Sequence, residues 1–172
     1  CLLFKTGEML KKSNLFVLII FLMGLVILGK PIYYYMKGIC AQIMLEKAWE
    51  TTKRTGQPTK AWNWADTLPV AKLTIPVIEL EQIVLNGEIN EGMAFGPVII
   101  EHERNSNNII ISGHRDSFFK KLEKLKEGDI INLEQLKKNN QNKINNKVIV
   151  SPEDIRWLED KKSKTLTLIT CY

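Results

Sequence analysis

Hydrophobic and polar positions divide the chain into three stretches of different character. From Leu15 to Gly29 the sequence reads LFVLIIFLMGLVILG, fifteen residues without a charge or a strong polar group. Lys11 and Lys12 precede this run; Lys30, Pro31 and the triplet Tyr33, Tyr34, Tyr35 follow it. A membrane-spanning helix needs about 20 apolar residues. Carrying the run on to Met36 and letting Lys30 snorkel reaches that length, with the tyrosines at the depth of an interfacial aromatic belt. The pattern predicts an uncleaved signal anchor over 13–36, behind a short tail over 1–12. A cleaved signal peptide is the competing reading, but no small-x-small site follows closely; a buried helix is the third. Lys5, Lys11 and Lys12 before the run, against Lys30 and Lys37 after it, bias the amino terminus inward and the rest outward. The leading CLLFKTGE looks out of place ahead of Met9-Leu-Lys-Lys, as if the reading frame were set too long or cut at its left end.

Beyond the anchor the period changes. Ile39, Ile43 and Leu45 to Trp49 form a broad apolar stripe, predicting a helix over 38–52 in a linker over 37–60, ended by Gly56-Gln57-Pro58. Shorter, alternating runs follow. Asp66 to Pro69 reads as a turn, Val70 to Ile75 as a strand, and Ile78 to Leu85 as a second strand closing at Asn86-Gly87. Ile89 to Asn108 has little periodicity and reads mostly as loop. Ile109 to Gly113 is the most apolar short run of the body and reads as a core strand. Phe118 to Leu125 suits a short helical or turn segment, and Ile130 to Glu134 a strand. KKNNQNKINN reads as a polar loop, Lys147 to Val150 as a strand, and Lys164 to Thr170 as the last strand. Five or six short strands after one helix predict a mainly β body, a small barrel or roll.

Composition narrows the function classes. With 24 basic against 19 acidic residues the chain carries +5, without the basic patch and interleaved aromatics of a nucleic-acid binder. Cys1, Cys40 and Cys171 follow no disulfide framework and form no CxxC pair. With His102 and His114 the only imidazoles, no metal site and no cofactor is expected.

Candidate chemistry rests on two residues. His114 follows the apolar run, where a strand opens into a loop; Cys171 stands at the end of another strand. A free thiol with pKa about 8.5 is a weak nucleophile at neutral pH until a neighbouring cation favours its thiolate. Cys and His on neighbouring strands would supply that arrangement. A buried, inert strand cysteine and a surface loop histidine are the plain alternatives. Asp116 is placed to orient His114 or Arg115, or simply to form a turn. Ser112 reads as a strand residue, His102 as a solvated loop residue, Cys40 as a small apolar filler. Trp62 and Trp64 are expected to pack the helix against the body.

TLTLITC resembles the TLxTC active-site motif of sortases, the membrane-anchored cysteine transpeptidases, and IIISGHRDSFF resembles their histidine motif. WNWADTLPVAKLTIP, AFGP and LKEGD are similar to the Gram-negative members, often called marine proteobacterial sortases. The likeness covers roughly Ala61 to Tyr172, and both motifs in this order are highly specific. It implies a sortase-type closed β-barrel with short helices over 61–172, with Cys171 as nucleophile and His114 as its proton-exchanging partner. The implied reaction cleaves an LPxTG-like sorting signal through a thioacyl-enzyme and passes the protein to an amine acceptor. The implied partners are a secreted substrate protein, that amine and the membrane. The implied place is the cytoplasmic (inner) membrane, single-pass, with the catalytic domain outside the cytoplasm. A thiol hydrolase of the same fold, or a non-catalytic tethered barrel that binds a partner, are the alternatives.

The family pattern also carries an arginine on the strand after the cysteine. Arg115 adjoins the histidine and Arg156 lies upstream of the cysteine strand, so neither matches it. The resemblance therefore predicts a chain that is incomplete after Tyr172, without its last barrel strand and inactive as it stands. VIIEHERNSNN matches the family's corresponding loop poorly, so the wall of the substrate groove is expected to differ.

Overall fold

The computed structural model describes residues 7–87, 92–100, 107–157, 159 and 163–171. The chain divides into two compact units, 1–40 and 41–172. One helix, α1 (Gly7–Thr55), supplies the described part of the first unit and the start of the second. Between Asn14 and Thr55 it is long and apolar enough to cross a membrane, with mean hydropathy 2.6 over its most apolar window. Leu15, Phe16, Ile20, Val26 and Ile27 are all more than half exposed. α1 therefore starts far upstream of the predicted linker helix and runs through it to Thr55.

In the second unit α1 ends on Gly56, whose N–H donates to the Thr52 carbonyl at 2.9 Å and whose φ is +72°. A glycine there enters the left-handed region without a Cβ clash. The buried Thr52 hydroxyl accepts from Thr59 N–H at 3.0 Å and turns the chain back toward the body. Leu45 and Trp49 on the last turns of α1 pack with Ile83, Leu85 and Val98, joined by Ala61, Trp62, Met93 and Phe95.

Seven strands form one sheet: β1 (Leu68–Ile75), β2 (Leu80–Asn86), β3 (Val98–Ile100), β4 (Asn108–Ser112), β5 (Ile130–Gln135), β6 (Lys138–Lys143) and β7 (Thr165–Ile169). Their order is β6-β5-β1-β2-β3-β4-β7. β2–β3 and β4–β7 are parallel; the other pairs are antiparallel. Alternation sorts side chains cleanly. Val84 of β2 faces one core while its neighbours Ile83 and Leu85 face the α1 side. Leu133 of β5 and Leu166 and Leu168 of β7 share one apolar cluster although β5 and β7 lie far apart in the sheet order. The sheet must curl to bring them together, making the mainly β, nearly closed barrel that the sequence predicts. Its seam lies between β6 and β7, which do not pair among the described residues.

Several local expectations are corrected. KNNQNK is a strand, β6, paired over its whole length with β5. Lys147 to Val150 is not a strand; Val148, Ile149 and Val150 are 48, 70 and 44% exposed. No ladder partner reaches them among the described residues, and apolar character alone does not make a strand. The Asp66–Pro69 turn is shorter than expected because β1 already starts at Leu68, whose N–H is held by Asn86 Oδ1 at 2.9 Å. Pro76 to Ile78 forms a 3-10 turn, so β2 starts at Leu80. β3 lies within the region read as loop, of which 89–91 and 101–106 are outside the described residues. Lys120–Lys124 is a 3-10 turn, as Phe118 to Leu125 suggests. Trp62 packs as expected, in edge contact with Phe95 at 4.9 Å between centroids. Trp64 does not; it is 69% exposed.

Candidate active site

β4 and β7 run in parallel with a constant register: Asn108 lies opposite Thr165, Ile110 opposite Thr167 and Ser112 opposite Ile169. The same offset continues past both strand ends. Gly113 N–H donates to the Ile169 carbonyl at 3.1 Å, and Thr170 Oγ1 donates to the Gly113 carbonyl at 2.9 Å. Carried one step further, it sets His114 opposite Cys171. Parallel strands lie about 4.8 Å apart, so residues at matching positions are neighbours. Leu166 and Leu168 face the barrel interior beside Ile109 and Ile111. By alternation Cys171 and His114 belong to the opposite face, the one that carries Asn108 and Ile110. Both are exposed.

The histidine is held by the turn behind it. Phe119 is 1% exposed, and its N–H donates to the His114 carbonyl at 3.0 Å. Its ring lies against Gly113 so closely that a Cβ there would stand 2.9 Å from Cδ2 and Cε2. A residue with any side chain at 113 would push the ring, and with it the His114 turn. A small residue between the core strand and the histidine is thus a packing requirement.

His114, Arg115, Asp116, Ser117 and Cys171 line one open cavity of about 410 Å³. The two predicted site residues therefore meet, and Asp116 joins them at the same mouth. Arg156 lies elsewhere, ion-paired with Asp154 at 2.8 Å. Ser112 behaves as a strand residue, its hydroxyl 3.9 Å from Met93 Sδ. Cys40 is exposed, not an apolar filler. His102 lies outside the described residues. No group of three or more His, Cys, Asp or Glu is placed to hold a metal among the described residues.

Sequence reasoning missed the polar fastening of this edge. Asn108 is 3% exposed and its Nδ2 donates to the carbonyls of Trp157 and Glu159 at 3.1 and 3.2 Å. Its Oδ1 accepts from Thr167 Oγ1 at 2.8 Å. Asn108 closes a run of polar residues, so nothing in composition separates it from its sequence neighbours.

Comparison with known proteins agrees with this architecture. A family model described as the sortase domain matches residues 73–172. Among solved structures, a Clostridium perfringens Sortase D5 transpeptidase is similar, with TM-score 0.61 at 23% identity over 77% of this chain and 89% of that one. Clostridium perfringens sortase C, solved with the C-terminal cell wall sorting motif, matches with TM-score 0.56 at 22% identity over 80% and 81%. Sortase C-1 from Actinomyces oris matches with TM-score 0.55 at 24% identity over 60% of this chain and 65% of that one. No curated protein matches. The chain belongs to the sortase family and has the sortase fold.

Proposed function

We propose that the protein is a membrane-anchored cysteine transpeptidase whose reacting groups are Cys171 and His114. The observation that supports this reading is that the exposed thiol and the exposed imidazole, just past the ends of the paired strands β4 and β7, line one open cavity. The Cys171 sulfur attacks the scissile carbonyl of an LPxTG-like sorting signal as thiolate. The carbon–nitrogen bond breaks, and His114 gives its proton to the departing amine, leaving a thioester on Cys171. An incoming amine then attacks the thioester; His114 accepts its proton and the cysteine leaves as thiolate. No oxidant, metal or external base is needed. Thiolate and imidazolium need not be the majority state, since the fraction in that form reacts.

The remaining assignments follow from the same reading. Residues 13–36 serve as a single-pass signal anchor, 37–60 as a helical linker and 61–172 as the catalytic domain, held outside the cytoplasmic membrane. The secreted substrate presents its sorting signal near the membrane surface, where a tethered enzyme meets it at high effective concentration.

The test is incubation of the purified protein, together with any residues its gene encodes after Tyr172, in detergent with an LPxTG-type peptide, with and without an amine acceptor. The expected result is a mass increment on Cys171, released as a new amide when amine is added. Cys171→Ala abolishes the adduct and His114→Ala slows it by about 10²–10⁴-fold, the usual contribution of a positioned acid–base group. Release only as free acid with the amine present assigns a thiol hydrolase. A Cys171 that forms no adduct and alkylates no faster than Cys40 overturns the catalytic reading and favours a binding module.

A further inference from the structure

β7 delivers Cys171, and its own side-chain pattern specifies only in part where it stops along β4. Thr165-Leu166-Thr167-Leu168 repeats every two residues. Within those four residues a two-residue slide replaces Thr by Thr and Leu by Leu; at the strand ends one slide carries Lys164 to the interior place of Leu166 and the other carries Thr170 to that of Leu168. A parallel ladder is evenly spaced, so the shifted strand also finds similar backbone bonds. The juxtaposition of Cys171 and His114 exists in one register alone. A slide one way sets Ile169 opposite His114; a slide the other way sets Cys171 opposite Ser112.

Two side-chain contacts break the repeat, one against each slide. Asn108 sits at the start of β4, 3% exposed, with its amide oxygen on the Thr167 hydroxyl and its amide nitrogen on the Trp157 and Glu159 carbonyls. The slide that sets Cys171 opposite Ser112 brings Ile169 to that amide oxygen, which then loses the Thr167 hydroxyl in a buried place. The opposite slide brings Leu168 to the place of Thr170, and the Gly113 carbonyl loses the Thr170 hydroxyl. A buried polar atom deprived of its partner is far costlier than the partner's net gain. Asn108 does more than reject one slide, because its nitrogen also fastens the connection that leads into β7.

We propose that Asn108 is a positioning residue for the reaction: by bonding the connection with one side of its amide and Thr167 with the other, it selects the β4–β7 register that brings Cys171 opposite His114. This rests on the reading of Cys171 and His114 as the reacting pair. The residue touches neither the cavity nor the substrate; it acts through the strand.

The experiment compares Asn108→Ala, Thr167→Val and Thr167→Ser in the full chain by two readouts. Amide hydrogen exchange follows Gly113 N–H, bonded to Ile169, and Thr165 N–H, bonded to Asn107. Mass-resolved alkylation follows Cys171 with His114 intact or replaced by Ala. Asn108→Ala and Thr167→Val are expected to speed exchange at Gly113 by about tenfold or more, the scale set by the loss of one buried side-chain hydrogen bond. They are also expected to bring the Cys171 alkylation rate down to that of His114→Ala, while amides of the β1–β5 ladder keep their protection. Thr167→Ser, which keeps the hydroxyl, restores both. Wild-type exchange at Gly113 and wild-type alkylation in the variants overturn the proposal. So does a loss of protection shared equally by β1 and β5, which marks a general stabilising role only. Should Asn108→Ala fail to fold, the contrast between Thr167→Val and Thr167→Ser decides. If His114→Ala leaves Cys171 alkylation unchanged in the parent, the functional reading falls, while exchange at Gly113 still decides whether Asn108 holds the β4–β7 edge.

Discussion

The two edges of the barrel are built from opposite materials. β6 is KNNQNK, paired to β5 at all six positions, and its side chains are exposed or half-exposed. β7 is TLTLI, paired to β4 at five positions, with every side chain half-buried. β6 is protected at its free edge by lysines and amides, the usual defence of a strand that must not recruit another. β7 has no such defence: Thr and Leu are good strand formers and present an uncharged edge beside the Cys171 cavity.

The contrast predicts where substitutions hurt. Ile111 on β4 is fully buried, lies between Ile99 and Leu168, and faces the barrel core. Ile111→Ala is expected to lower stability by about 2–5 kcal/mol, the transfer loss plus the cavity left behind. On the other edge Asn140 makes a long bond to Gln135 Oε1 at 3.4 Å from a partly exposed position. Asn140→Ala should stay within about 0.5 kcal/mol of the parent, as surface changes do. Chemical denaturation of both variants under identical conditions measures the gap; equal losses would show that the β6 edge stabilises the barrel as strongly as the site edge does.

A smaller effect is expected behind the histidine. Gly113→Ala brings a Cβ to 2.9 Å from the Phe119 ring, and overpacking of this kind costs about 1–3 kcal/mol. Part of the cost returns if Phe119 is shortened. Phe119→Leu in the Gly113→Ala background should therefore cost less than it does alone, a coupling visible in a double-mutant cycle of melting temperatures. Additive losses would mean that the ring does not bear on Gly113, and that the His114 turn is held by other contacts.

The same comparison explains what the sequence could disclose. Strands that bury one face announced themselves: β1, β2, β4, β5 and β7 carry alternating or continuous apolar runs, because the core dictates their side chains. β6 buries none of its side chains, so its pairing is carried by backbone bonds, and its composition is that of a loop. The turn before it gave no signal either. Leu136 and Lys137 join β5 to β6 without a glycine or asparagine, and neither has positive φ among the described residues. Lys147 to Val150 shows the converse, an apolar run with no ladder partner among the described residues. His114 and Cys171 were legible because each stands at the end of a strong strand pattern in a recognisable motif. Asn108 and Thr170 were not, since their roles depend on which strands become neighbours.

The weakest expected effect lies in the connection that feeds β7. Asp154 accepts from Arg156 Nε and a terminal guanidinium nitrogen, both at 2.8 Å, and from Arg156 N–H at 3.3 Å. The Arg156 side-chain bonds hold its carboxyl well below the ordinary 3.8, at about 2. A carboxyl whose pKa is lower folded than unfolded stabilises the fold above the unfolded value, and that stabilisation disappears as pH falls through the folded one. The pair lies at the surface, where water and salt screen it, so its effect is small at every pH. Asp154→Asn should melt slightly below the parent at pH 6, with the gap closing as pH falls from about 4 toward 2. A gap that persists at pH 2 would mean that the turn depends on side-chain shape rather than charge. The Asn108 bond to the Trp157 carbonyl would then be what orders the approach to β7, with no contribution from the ion pair beside it.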